Sequence, residues 1–255
     1  MTDPTERFSD RASDYVKARP SYPAELFSVL RAECDLSEKS VVADLGSGTG
    51  IFTRLLLETG ATVHAVEPND EMRAAAERDL RGSAHFVSVR GRAEATTLPA
   101  ASIDLATAAQ AFHWFDVDAT RRELSRILRP GGHVALVWND RDTTSTAFLR
   151  GFEALLVQHC PKYLELQGKA DAIAKFDAVF GAGRWKRTTL PNEQHLDREG
   201  LVARVMSASY APRIGTPEHE AIVSALSALY DRHAEGGVVR IGYQTVIVHG
   251  RIGAT

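Results

Sequence analysis

Two cysteines, Cys34 and Cys160, are the only thiols in this 255-residue chain, and they lack the spacing of metal ligands. A disulfide framework is thereby excluded and no structural metal is expected; the pair reads as reduced thiols of a cytoplasmic protein. No apolar run approaches the ~20 residues that span a bilayer, and the polar N-terminus has no signal-peptide core, so no membrane partner is expected. A basic block is missing as well. The 30 basic side chains stand against 33 acidic ones, for a net charge of −3. That is not the electrostatic footprint of a nucleic-acid binder, so the expected partner is a small molecule and not a nucleic acid. Internal repeats, low-complexity tracts and linkers are also absent. One domain over residues 1–255 is expected, as a monomer or homodimer.

What the chain does have is a β/α rhythm around a glycine-rich turn. Val41–Leu45 is a short apolar run containing Asp44, and it passes through Gly46-Ser-Gly-Thr-Gly50 into a helix over 51–58. A second run, 62–66, ends in Glu67, 23 residues after Asp44. Strand, turn, helix and strand in that order let a ligand lie against bare backbone and offer a carboxylate to a ribose. The alternation continues with a helix over 71–80 capped by Asn69 or Asp70, then strands over 84–89 and 103–109. A helix over 119–128, stopped by Pro130-Gly-Gly132, leads to a strand over 133–139. After Asp140 the rhythm weakens. Residues 144–180 and 197–234 read as mainly helical, with a strand at 185–190 between them and a terminal strand at 238–247. The chain thus divides into a cofactor core (36–140), a mainly helical cap with one sheet strand (141–235) and a terminal strand (236–255).

The turn discriminates between cofactors. A dinucleotide site reads G-x-G-x-x-G, but here Ile51 stands where the third glycine falls. Asp44, two residues before the turn, would repel a pyrophosphate. Both features favour a cofactor carrying a positive group over NAD.

The run Asp44-Leu-Gly-Ser-Gly-Thr-Gly50, with Glu67 behind it, resembles the first motifs of class I S-adenosylmethionine (SAM)-dependent methyltransferases. Arg11-Ala-Ser-Asp-Tyr-Val-Lys-Ala-Arg-Pro-Ser-Tyr-Pro23 and Ala109-Gln-Ala-Phe-His-Trp-Phe-Asp116 resemble the type 11 branch, which includes trans-aconitate methyltransferase-like small-molecule enzymes. The resemblance implies an α/β, Rossmann-like, seven-stranded, mostly parallel sheet with helices on both faces and a helical cap inserted in the C-terminal half. It also implies SAM as cofactor. By the same resemblance Asp44 positions the amino group of SAM, and Gly46, Ser47, Gly48 and Gly50 meet its methionine part. Glu67, followed by Pro68, grips the ribose hydroxyls, and Met72 packs on the adenine, unless it is simply the first buried residue of its helix. Tyr15 and Arg19 cover SAM, with Arg19 pairing its carboxylate; the alternative is a solvated helix whose Arg pairs with a surface acid. The amide of Ala93 serves the adenine ring. Glu94 reaches the adenine amino group or is a plain surface or capping acid, and Arg92 departs from the acid usual at its position. Gln110 approaches the methionyl part, while His113 and Trp114 line the acceptor pocket.

Three roles stand open for His113: general base, substrate-orienting donor, or structural histidine. A neutral imidazole can take a proton from a hydroxyl, phenol or amine, whereas a carboxylate acceptor needs no base. Methyl transfer from SAM to a small molecule, with a carboxylate or hydroxyl favoured among O-, N- and C-nucleophiles, is the resulting expectation. The rivals are a non-catalytic SAM-binding or regulatory protein of the same fold, a nicotinamide-dependent reductase and an RNA methyltransferase. Asp140-Arg-Asp142 alone is too weak a motif to assign a metal. Trp185, Tyr210 and Tyr243 are candidate substrate-facing aromatics that serve equally well as core.

Overall fold

The computed structural model describes residues 19–167, 172–208 and 210–252. After helix α1 (Glu25–Cys34) the chain alternates through β1 (Val41–Leu45), α2 (Ile51–Leu57), β2 (Thr62–Val66), α3 (Asp70–Leu80), β3 (Phe86–Val89) and β4 (Ile103–Ala109). A 3-10 turn, Phe112–Trp114, precedes α4 (Val117–Ile127) and β5 (Leu128–Arg141). The C-terminal part contains α5 (Ala147–His159), α6 (Lys162–Gln167), α7 (Ala172–Phe180), β6 (Trp185–Leu196), α8 (Arg198–Met206), α9 (Pro217–His233) and β7 (Val239–Gly250). The seven strands form one sheet in the order β3-β2-β1-β4-β5-β7-β6. Strands β1 to β5 are parallel, and β7 runs antiparallel to both β5 and β6.

The parallel strands are apolar on both faces because helices cover both. On one face, Leu26 and Leu30 of α1 and Phe52 and Leu56 of α2 pack on Val42, Val63 and Leu105. On the other, Leu124 and Ile127 of α4 and Val179 and Phe180 of α7 pack on Ala43, Ala106 and Leu136. A third core joins α5, α6, α8 and α9 to the far ends of β6 and β7 at Leu196, Val239 and Ile241. The β6–β7 pair extends past the end of β5, from Trp185↔Gly250 to Leu196↔Val239, and this projecting ribbon seats the cap. The cap helices are inserted at two places, after β5 and between β6 and β7.

Several element limits differ from the sequence reading, each for a physical reason. Strand β3 begins at Phe86 rather than residue 84, where the chain is still turning. Asn69 is the cap of α3, its side chain accepting from the Glu71 and Met72 amides, and Asp70 lies inside the helix. Helix α4 begins at Val117 because Asp116 caps it, accepting from the Ala119 amide at 2.8 Å. It ends at Ile127, before Pro130 is reached; Leu128 already pairs with Ile103, and the register shifts between Ile103 and Leu105. Strand β6 runs on to Leu196 through Pro191. A missing N–H is tolerated there because β6 is the sheet edge. Helix α7 lies within the span read as cap, yet it packs on α4 and the sheet.

Phe180 is fully buried where α7 meets the sheet. Phe180→Ala is expected to destabilise the protein by about 3–5 kcal/mol, read as a lower midpoint in urea unfolding, because a large cavity opens in a packed layer.

Candidate functional site

The carboxyl ends of β1, β2 and β4 open into a cavity of about 930 Å³. Its floor is the turn after β1. The amides of Gly46 and Ser47 both donate to the carbonyl of Val66, at 2.8 and 3.2 Å, so the turn is latched to the end of β2. Gly46 and Gly50 have φ of +65° and +82°, where side chains are strained. A Cβ on Gly46 would stand 2.7 Å from Ala111 Cβ, and one on Gly50 would stand 2.8 Å from Leu80 Cδ1. The glycines therefore let α3 and the 110–116 string close tightly on the turn.

Two carboxylates are buried at this floor. Asp44 accepts from Thr53 Oγ1 of α2 at 2.7 Å and from Thr107 Oγ1 of β4 at 3.0 Å. Burial raises its pKa to about 6 despite those two bonds, and the charge on Glu67 adds to the shift. Glu67 Oε2 accepts from the Gly48 amide at 2.9 Å and Oε1 from the Asn69 amide at 2.8 Å. Its pKa is also raised by burial, against the pull of these amides and of Arg73. A carboxylate has about four lone-pair sites, so both oxygens keep capacity for ligand hydroxyls. Beside them, Ser47 Oγ and Thr49 Oγ1 are buried without a hydrogen-bond partner among the described residues.

Met72 forms one side of the cavity, with its sulfur 3.6 Å from where a Gly48 Cβ would stand. Pro68 lines the same side. Opposite is the tight turn Arg92–Ala95, closed by reciprocal backbone bonds, which brings Arg92, Ala93 and Glu94 to the cavity. Glu94 Oε1 accepts from the Asp116 amide at 2.9 Å, tying this turn to the start of α4. Gln110 is exposed to the cavity with φ +57°, an uncommon conformation for a residue other than glycine, while its amide donates to Val137 O at 2.9 Å. His113 and Trp114 follow on the 3-10 turn, their rings 4.7 Å apart and tilted by 46°. His113 is exposed at the cavity and Trp114 is half-buried.

The cap supplies the remaining wall. Arg19 Nη2 donates to the Ser207 carbonyl at the end of α8 at 3.0 Å, so the end of a cap helix holds this guanidinium at the cavity. Ser21 O accepts from Asn139 at 3.2 Å and Asn192 at 2.8 Å, which pins the same segment to the ends of β5 and β6. Arg204 of α8 donates to Tyr243 Oη at 3.3 Å, and both line the cavity with Tyr210. Tyr15 lies outside the described residues. Trp185 stands away from this cavity, its Nε1 donating to Asp177 at 2.8 Å. Thr53, Thr107 and Arg204 were not anticipated from sequence. Only strand pairing brings Thr107 to Asp44, and only folding of the cap brings Arg204 to the pocket.

Chemically, the floor suits a ligand with a cationic group for Asp44, vicinal hydroxyls for Glu67 and polar atoms for the orphaned Ser47 and Thr49 hydroxyls. Among the described residues no group of three or more His, Cys, Asp or Glu can hold a metal ion.

The raised pKa of Asp44 has a stability consequence. A carboxyl whose folded pKa lies above its unfolded value favours folding below the unfolded pKa, and that contribution disappears as pH rises through the folded one. Between about pH 4 and pH 6 Asp44 is therefore expected to withdraw ~2–3 kcal/mol from the ligand-free protein. Urea unfolding of wild type and Asp44→Asn across that range checks this: the variant gains stability relative to wild type as pH rises. A constant difference would remove Asp44 as the cause. Gly46→Val is expected to abolish cofactor binding through steric overlap with Ala111, measured by calorimetric titration.

A family model described as a methyltransferase domain matches residues 43–136. Along nearly its whole length the chain is similar to an uncharacterized methyltransferase-like protein of Schizosaccharomyces pombe. The identity is 37% over 247 residues, covering 94% of this chain and 93% of that one. It is 39% identical over 135 residues to an uncharacterized methyltransferase of Mycobacterium tuberculosis, 53% of each chain. Among solved structures, a protein of Anaeromyxobacter dehalogenans described as a type II methyltransferase superposes with a TM-score of 0.62 at 26% identity, over 93% of this chain and 99% of that one. A strand-end cavity floored by two buried carboxylates, the sheet order and this near-full-length relationship meet in one conclusion. The chain belongs to the class I S-adenosylmethionine-dependent methyltransferases.

Proposed function

We propose that this methyltransferase acts on a small-molecule acceptor, with a carboxylate or hydroxyl oxygen favoured among O-, N- and C-nucleophiles. The observation that carries this reading is the polarity of the cavity. The carboxylates of Asp44 and Glu67, the guanidinium of Arg19 from the N-terminal segment, and Arg204, Tyr210 and Tyr243 from the C-terminal part all line one cavity. About 930 Å³ is the size of a pocket for a cofactor and a small acceptor together, and walls contributed by α8 and β7 leave it unlike an open groove for a polymer.

SAM supplies an electrophilic methyl group, and in-line displacement releases S-adenosylhomocysteine. Asp44 takes the ammonium of the methionine part, which meets the backbone of Gly46, Ser47, Gly48 and Gly50, while Arg19 takes the carboxylate. Glu67 accepts from the ribose hydroxyls. Pro68, Met72 and Ala93 enclose the adenine, and Glu94 holds their turn against α4. Gln110 borders the methionyl group. Trp114 is a wall of the acceptor site and excludes water near the sulfonium. His113 meets the acceptor, removing the proton of a hydroxyl or donating a hydrogen bond to a carboxylate, which has none to lose.

Calorimetric titration with SAM and S-adenosylhomocysteine, with NADH as control, is the primary test, followed by screening of carboxylic acids and phenols for S-adenosylhomocysteine release. Glu67→Ala is expected to weaken SAM binding by about 1–3 kcal/mol, the scale for hydrogen bonds to a charged group; unchanged affinity would take Glu67 off the ribose. His113→Ala is expected to spare SAM affinity and to slow transfer to a hydroxyl acceptor by about 10²–10⁴-fold. Turnover within about twofold of wild type would leave no base role.

A further inference from the structure

At the opposite end of the sheet, where the parallel strands begin, lies a second cavity of about 330 Å³. It forms where β5 (at His133), the start of β6 (Lys186), the end of β7 (His249) and the end of α1 (Glu33) converge. Lys186 and His249 are paired directly across β6 and β7, and His249 faces Ala135 on its other side. Residues 133 and 135 share a face of β5, so His133 joins the same cluster. Asn139 at the cofactor cavity is six positions along β5 from His133, a distance of about 20 Å at strand rise.

Two independent features set this cleft apart from an ordinary charged surface. First, its charges do not close. Lys186 pairs with Glu33 at 2.6 Å. Arg251 reaches Asp35 at 3.5 Å, and its Nε donates to His133 Nε2 at 3.0 Å. Arg184, exposed at the rim, has no ion pair among the described residues, so Arg184, Lys186 and Arg251 face only Glu33 and Asp35. Second, His249 is 2% exposed, and its Nε2 is buried with no hydrogen-bond partner among the described residues. An unsatisfied buried group of this kind costs about 1–3 kcal/mol, a cost that a ligand atom removes. Burial lowers the pKa of His249, which favours the neutral ring, and in the Nε2–H tautomer this nitrogen is a donor. Three fixed cations exclude a metal ion from the cleft, whereas an anion meets both features at once.

We propose that this cleft is a second ligand site, remote from methyl transfer, for a small oxyanion group (a phosphate or a carboxylate) held by Arg184, Lys186, Arg251 and His249 Nε2–H. The ligand competes with Glu33 for Lys186, so a multiply charged anion is favoured. The site does not depend on the identity of the methyl acceptor.

Calorimetric titration of the full chain at low ionic strength with inorganic phosphate, pyrophosphate and citrate tests it. Saturable binding of at least one anion is expected, weakened about tenfold or more in Arg184→Ala and in Lys186→Gln, with SAM affinity unchanged. Stronger binding of phosphate or pyrophosphate than of citrate assigns a phosphate ligand, and the reverse order assigns a carboxylate. Arg184 makes no ion pair, so its replacement leaves the fold intact and the comparison interpretable. In parallel, the ring-nitrogen resonances of His249 are expected to move on addition of the bound anion and not on addition of SAM. Absence of saturable binding for all three anions, or affinity that both variants retain, would overturn the proposal.

Discussion

Two carboxylates share one buried crevice, and the geometry around it follows from keeping them there. Asp44 is held between a threonine of α2 and a threonine of β4, so one side chain joins the helix after the turn to the strand beside it. Glu67 receives the Gly48 and Asn69 amides, so the second carboxylate joins the turn to the loop that opens α3. Burial makes the charged state costly for both, and the charge on Glu67 raises the cost for Asp44. The turn can meet that demand only with bare backbone, and so it is built of glycines. The same unfavourable electrostatics make a cationic, hydroxyl-bearing cofactor the natural occupant, since its binding relieves what folding leaves unsatisfied.

The apolar scaffold explains why this crevice is presented where it is. Helices on both faces of the parallel strands bury them almost completely, which leaves the strand ends as the place where polar groups can converge. Strands β6 and β7 differ. They are long, antiparallel to each other, and continue beyond the sheet to seat a separate apolar core of four helices. The cap is therefore anchored to the sheet through its longest strand pairing. The Arg19–Ser207 bond and the Ser21–Asn139–Asn192 contacts then stitch the N-terminal segment across the junction. In that way a crevice at the strand ends becomes a cavity walled in part by the cap.

The floor of the cavity and its cap wall are built differently. The floor is preorganised: its hydrogen bonds are made within the protein, and the unusual backbone of Gln110 is braced by Val137. The cap wall carries long cationic and phenolic side chains on α8 and β7, where substitution can change recognition without disturbing the sheet. The cleft at the opposite edge of the sheet shares that character, since its cations come from strand ends and from the turn before β6.

Much of this was legible in the order of residues. The buried strands, the glycine turn, Asp44 and Glu67 announce themselves because parallel strands need continuous apolar runs and a tight turn needs glycine, and both demands are local. The string from Gln110 to Trp114 was legible for a related reason: it directly follows a strand whose end must face the crevice. Other features depended on tertiary structure. Pro191 read as the end of a strand, yet β6 continues through it because an edge strand can spare an N–H. The helix over 172–180 read as cap, but its apolar face is complementary to α4 and the sheet. The threonines that hold Asp44, the anchoring of Arg19 to α8 and the meeting of Arg204 with Tyr243 join residues far apart in the chain. The sequence by itself determined the sheet and its cofactor turn, because backbone geometry and apolar periodicity act over a few neighbouring residues. Only the tertiary structure decided the composition of the cap wall of the cavity and of the second cleft, because polar partners there are chosen by packing across the chain and leave no local pattern.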